Sequence, residues 1–94
     1  MKQISILGST GSIGMQTLDV IKSNPEMFKV VGLSANQNID LIEQQIREFQ
    51  PEAAALMDER MALELKKRIG KGIKTEILSG LDGLITIATL QKAD

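Results

Sequence analysis

Residues 7–15 read LGSTGSIGM and complete the apolar run ISIL at 4–7. Glycines stand at 8, 11 and 14. Ordering glycine costs more backbone entropy than ordering any other residue, so three of them in one short stretch need a physical reason. Residues 3–7 (QISIL) read as a short buried strand. Ile13, Thr17, Leu18 and Ile21 recur at helical spacing, which predicts a helix over 13–23. Strand, glycine turn and helix in that order are the context a dinucleotide fingerprint requires. The spacing is G-x-x-G-x-x-G rather than G-x-G-x-x-G, with similar physics. Gly8 turns the chain off the strand, Gly11 leaves the backbone open to a pyrophosphate, and Gly14 lets the helix pack close to the sheet. The amides around Ser12 and Ile13 fall at the helix N-terminus, where an anion is favoured. The hydroxyls of Ser9, Thr10 and Ser12 are expected to add hydrogen bonds. An ordinary glycine–serine turn would use the same residues; the flanking strand and helix favour nucleotide binding. No Gly-Lys-Ser/Thr follows, which excludes a Walker loop.

Outward from this turn, strands and helices alternate. Pro25 in NPEM disfavours helix at Asn24 and ends the first helix. FKVVGLS (28–34) is a second strand and ANQN a loop. Asn38 is the expected N-cap of a second helix, with Asp40 in its first turn and Ile42, Ile46 and Phe49 as its apolar stripe. Pro51 ends that helix. EAAALM (52–57) is a weaker third strand, since its alanines suit a helix equally. Asp58 caps a third helix, ERMALELKKRI, closed by Gly70. KTEIL (74–78) is a fourth strand and LDGLITIATL (81–90) a fourth helix, although β-branched Ile85, Thr86 and Ile87 disfavour it. Strands recurring roughly every 25 residues between helices are the βαβ pattern. The fold class is therefore α/β: a Rossmann-like parallel sheet with helices on both faces, its strand order open.

The 94 residues suffice for one modest domain. Hydrophobic residues at 43% and charged residues at 24% match a soluble globular protein. A net charge of -1 shows no basic excess for a nucleic-acid partner. No apolar run approaches the roughly 20 residues that span a bilayer, and MKQISIL is too short an apolar start for a signal peptide. A cytoplasmic protein is expected. Cysteine, histidine, tyrosine and tryptophan are absent, so acid–base chemistry would fall to Asp, Glu or Lys. The abrupt end at LQKAD (90–94) leads to the expectation of an incomplete domain.

The end of the second strand bears on cofactor choice. NAD enzymes usually place Asp or Glu there to hold the ribose 2′-hydroxyl. This chain has Ser34, Ala35, Asn36, Gln37 and Asn38. Without a carboxylate to repel a 2′-phosphate, NADP is favoured over NAD, although Asn36 to Asn38 also suit a turn and cap. Lys66, Lys67 and Arg68 read as helix-end cations, Asp58-Glu59 as a helix start, and Asp19 and Lys22 as a solvated face. Met15, Met27, Met57 and Met61 read as filler.

Beyond the glycines, ILGSTGSIG followed by TLDVI, then NP, a Phe, VV and an Asn-containing loop, resembles the N-terminus of the 1-deoxy-D-xylulose-5-phosphate reductoisomerase family. The match is strongest over residues 1 to about 40 and continues more loosely through FQPEAAALMDE, TEILSGLDGL and ATLQKAD. The resemblance implies an NADPH-dependent oxidoreductase of the non-mevalonate isoprenoid pathway. It would convert 1-deoxy-D-xylulose 5-phosphate to 2-C-methyl-D-erythritol 4-phosphate by a metal-assisted rearrangement followed by hydride delivery. By position, Thr10, Gly11, Ser12 and Ile13 would hold the cofactor's phosphates and Asn38 its adenosine ribose end. The family commonly has Gly then Lys or Arg before Asn38; here stand Asn36 and Gln37, to which no role is carried. The ligands for magnesium or manganese, the catalytic residues, the sugar phosphate site and the homodimer surface are expected beyond residue 94. Residues 1–94 would then be the N-terminal part of the NADPH-binding domain, inactive alone. Two other readings are an extended short-chain dehydrogenase/epimerase, which would need a later Tyr-x-x-x-Lys, and a non-catalytic nucleotide-binding module.

Overall fold

The computed structural model describes residues 1–90. Eight elements alternate: β1 (Lys2–Ile6), α1 (Ser12–Ser23), β2 (Phe28–Ala35), α2 (Ile39–Phe49), β3 (Ala53–Leu56), α3 (Glu59–Ile69), β4 (Glu76–Ser79) and α4 (Gly80–Leu90). All neighbouring strands are parallel, in the order β1-β2-β3-β4. The expected α/β class is the observed one, and the order that composition left open is sequential. The last residues of the stretch ATLQKAD lie outside the described residues.

Parallel strands are buried on both faces, and this sheet has two cores. Leu18 and Ile21 of α1, Ile42 and Ile46 of α2, and Leu65 and Ile69 of α3 pack with Ile6, Leu33 and Leu56 on one face. On the other face Ile87 of α4 packs on Ala53 and Ala55. Helix α4 alone touches all four strands. Small residues beneath it (Gly32, Ala53 and Ala55) let it lie close to the sheet.

One irregularity sets the face of β2. Ile4 pairs with Val30 and Ser5 with Gly32, leaving Val31 as an extra residue in the longer strand. Such a bulge resets the alternation of side chains. Val30 and Leu33 thereby join one core despite an odd separation in sequence.

Local chemistry explains most element ends. The Asn38 side chain accepts from the Leu41 amide at 3.2 Å, and Asp58 accepts from Arg60 and Met61 at 2.8 and 3.2 Å. Gly70 closes α3 with φ 64°, and Gln50 closes α2 in the left-handed region at φ 46°. The fourth strand starts two residues later than the sequence predicts. Thr75 is tied instead to the Pro51 carbonyl through its hydroxyl at 2.6 Å. Helix α4 forms despite its β-branched residues, because burying Ile87 outweighs their small propensity cost.

Candidate functional site

The C-terminal ends of β1 and β2 carry the glycine turn. Gly8 has φ 72°, a conformation that costs any other L-residue. The turn closes with the Gly11 amide donating to the Gly8 carbonyl at 3.1 Å. A Cβ on Gly14 would lie 2.4 Å from the Gly8 oxygen and 2.7 Å from the Ser9 Cα. Gly14 thus seats α1 on the turn itself rather than on the body of the sheet. Gly11 is different. Its φ of -80° and ψ of 171° suit any residue, and an added Cβ would meet only the Gly8 oxygen, at an ordinary 3.5 Å. The fold requires glycine at 8 and 14 but not at 11. A bare Gly11 leaves the helix start open on its outer side.

That side leads to uncapped backbone. Gly11 is the N-cap of α1 and supplies no side-chain cap, and the first turn holds no acidic residue. In α2 and α3 the caps Asn38 and Asp58 and the first-turn acids Asp40 and Glu59 meet these needs. The first helical bond of α1 is Met15 to Gly11, at 2.9 Å. Among the described residues no bond engages the amides of Thr10, Ser12 or Ile13. Unsatisfied donors at the positive end of a helix dipole make a site for an anion. An open crevice of about 290 Å³ lies over the turn, lined by Leu7, Gly8, Thr10, Gly11, Asn36 and Leu84 among others. A larger hollow of about 520 Å³ beside Pro51 and Thr75 lies at the opposite end of the strands, away from the glycine turn.

The sequence-predicted residues divide. Thr10, Gly11, Ser12 and Ile13 surround one helix N-terminus; Ser12 is exposed and Ile13 is 81% exposed. Asn38 stands apart on the β2–α2 loop, exposed, with its Oδ1 accepting from the Leu41 amide as a cap. Asn36, which received no role, lines the crevice. Ser9 corrects an expectation. It is fully buried, and its hydroxyl donates to Gln45 Oε1 at 2.7 Å, with the Ser34 carbonyl at 3.3 Å. It cannot also serve a ligand. Ser34 belongs to the same inner clasp: its Oγ accepts from the Gly8 amide at 3.1 Å and its carbonyl from the Ser9 amide at 2.8 Å. Strand β2 runs one residue further than predicted, so the loop that follows it begins at Asn36. Sequence reasoning missed Gln45. Its signal was position: of the adjacent pair Gln44 and Gln45, the second lies beside Ile46 and three residues from Ile42, on the buried stripe of α2.

Two sets of charged groups away from the turn are structural. Arg68 bridges to Asp40 at 2.6 Å and to Glu43 and Glu64 at 3.4 Å, tying α3 to α2. The hydrogen bond to Asp40 holds its guanidinium pKa above the usual value. Lys22 is raised likewise by its hydrogen bond to Glu48, 2.8 Å away. Among the described residues no three Asp, Glu, His or Cys gather as a metal site, and no helix is long and apolar enough to cross a membrane.

Sheet, turn and bare helix end define a Rossmann-like α/β protein with a dinucleotide-type glycine turn. Residues 4–94 match the family model described as 1-deoxy-D-xylulose 5-phosphate reductoisomerase. The chain belongs to that family. It is 51% identical over 94 residues to the reductoisomerase of Lachnoclostridium phytofermentans, covering 100% of this chain and 24% of the relative. Among solved structures, a DOX-P reductoisomerase in complex with NADPH, fosmidomycin and magnesium superposes with a TM-score of 0.92 at 32% identity, over 100% of this chain and 23% of that one. The Zymomonas mobilis reductoisomerase in complex with NADPH gives 0.86 at 31% identity, over 93% and 23%. The chain spans about a quarter of the length of the curated relatives it matches.

Proposed function

We propose that these residues are the cofactor-binding N-terminal part of an NADPH-dependent enzyme that converts 1-deoxy-D-xylulose 5-phosphate to 2-C-methyl-D-erythritol 4-phosphate. The observation that carries this is Gly11: a glycine the fold does not need, set before amides that nothing among the described residues engages. The residues fit a dinucleotide diphosphate. Thr10, Gly11, Ser12 and Ile13 supply backbone donors, and the hydroxyls of Thr10 and Ser12 stand at the same rim. Asn38 offers its Nδ2 toward the adenosine ribose end while its Oδ1 caps α2. Bound NADPH supplies the hydride. This chain's share is to hold the diphosphate, orient the adenosine end and leave the crevice above Gly11 clear.

Relatives solved with NADPH and with magnesium support the same cofactors for the complete protein. Magnesium or manganese, the catalytic groups and the sugar phosphate would then be held by residues beyond 94. The complete protein is proposed to be a cytoplasmic homodimer. The test supplies the complete protein with deoxyxylulose phosphate, NADPH and magnesium or manganese. NADPH oxidation is expected; inactivity on this substrate with turnover of other reductase substrates would reject the reading.

A further inference from the structure

Gln45 makes no approach to the crevice, yet it grips the turn beneath it. Its side chain lies on the buried stripe of α2 at 6% exposure. Its Oε1 accepts from the Ser9 hydroxyl at 2.7 Å, and its Nε2 donates to the Ser9 carbonyl at 2.8 Å. One amide therefore fixes both the side chain and the main chain of the same residue. From the other side, Ser34 takes the Ser9 amide through its carbonyl and the Gly8 amide through its hydroxyl. The N–H of Gly8 and both main-chain polar groups of Ser9 are thus committed between β2 and α2. Gly14 then seats the start of α1 directly on Ser9. Any shift of Ser9 is passed to the amides of Thr10, Ser12 and Ile13.

We infer that Gln45 is a positioning residue for the dinucleotide, setting affinity by fixing the phosphate-facing amides without touching the ligand. This rests on the glycine turn being the cofactor site. A hydrogen bond between buried neutral groups contributes modestly while made, but losing one partner strands the other. The stranded group here is the Ser9 carbonyl, at the base of the turn, while the hydroxyl falls back on its longer contact with the Ser34 carbonyl. Relief comes from moving Ser9 toward water, which would misaim the donors above it.

The experiment uses the complete protein and reads NADPH affinity, kcat at saturating NADPH and thermal midpoint. Gln45→Leu removes both bonds at similar volume. Its Kd and KM for NADPH are expected to rise roughly tenfold, with kcat at saturation within about twofold of wild type. Ile46→Val, one residue away and facing the core, serves as the stability control; it should lower the midpoint and leave Kd unchanged. Gln45→Glu adds a pH readout. When protonated, its carboxyl can accept from the Ser9 hydroxyl and donate to the Ser9 carbonyl as the amide does; when ionised it repels that carbonyl. Burial favours the protonated form, as does the carboxylate of Asp19 on α1, which lines the same groove; Glu48 on α2 lines it too but is offset by its ion pair with Lys22. No ionisable side chain of β1, β2 or the turn lies within the clasp. The ratio of its Kd to wild type should therefore fall as pH is lowered, whereas the Gln45→Leu ratio stays flat. If Gln45→Leu fails to fold, Ser9→Ala, which removes the hydroxyl's contacts with Gln45 and the Ser34 carbonyl but keeps the Gln45 bond to the Ser9 carbonyl, and Gln45→Glu carry the test. Folded variants that bind NADPH like wild type, or that lose affinity only in step with the midpoint as other core variants do, would overturn the inference while leaving the cofactor site intact. Failure of the wild-type protein itself to bind NADPH would remove the site and the inference together.

Discussion

At the scale of single residues, three similar glycines do three different jobs, and alanine separates them. Gly11→Ala adds a methyl where backbone and neighbours allow it. The entropy gained by restricting the unfolded chain offsets the poorer N-cap, so stability should change by less than about 0.5 kcal/mol. In the proposed cofactor site the same methyl would face the incoming diphosphate, so NADPH affinity of the complete protein should fall about 10- to 100-fold. Gly14→Ala should do the reverse in order of cause. Its methyl would overlap the Gly8 oxygen and the Ser9 backbone, costing about 1–3 kcal/mol or more of stability before any ligand is added. Thermal melts alongside NADPH titration decide between the two. Spacing and flanking elements made Gly8, Gly11 and Gly14 legible in the sequence, because turn geometry is local. Ser9 was not, because its partner is 36 positions away on another helix. A serine beside glycines reads as a phosphate ligand until the fold reveals what lies behind it.

At the scale of elements, caps were legible and registers were not. Asn38 and Asp58 announce helices by residue type and position, and both do so in the structure. The bulge at Val31 and the late start of β4 depend on which strand lies alongside, which no local pattern encodes. The caps also give a way to separate structure from binding. Asp58→Ala should cost about 1 kcal/mol of stability and leave NADPH affinity unchanged. Asn38→Ala should cost a similar amount and also weaken NADPH. Asn38→Asp keeps the capping oxygen and replaces Nδ2 with a carboxylate oxygen; stability should hold while NADPH weakens several-fold more than NADH, because only NADPH carries a 2′-phosphate to repel. Equal losses for both dinucleotides would place Asn38 away from that phosphate. On the opposite face, a Cβ at Gly32 would lie 2.9 Å from Ile87 Cγ2 and 3.0 Å from Ser5 Oγ. Gly32→Ala should lift α4 from the sheet at about 1–3 kcal/mol, read as a lower midpoint in urea.

At the scale of the whole molecule, alternation of strands and helices fixes a parallel sheet but not the order in which strands are laid down. The same pattern is compatible with stepping in one direction or reversing partway. The described strands step one way only, which keeps α1, α2 and α3 on one face, while α4 crosses to the other and runs beneath the sheet to β1. Among the described residues β1 is paired on one side only, by β2. Beside the glycine turn and on α4, Leu7, Leu81 and Ile85 are 53%, 65% and 53% exposed. An open strand edge next to exposed large apolar side chains invites pairing with another chain. The 94-residue chain studied alone should therefore self-associate with rising concentration and bind a hydrophobic dye. Leu81→Lys together with Ile85→Lys should reduce both effects without lowering the midpoint, since neither side chain belongs to a core. Sedimentation across a concentration series checks this. A strictly monomeric chain with no dye response would mean that the strand edge and α4 surface are protected, and the apolar side chains could not then be read as an unsatisfied face.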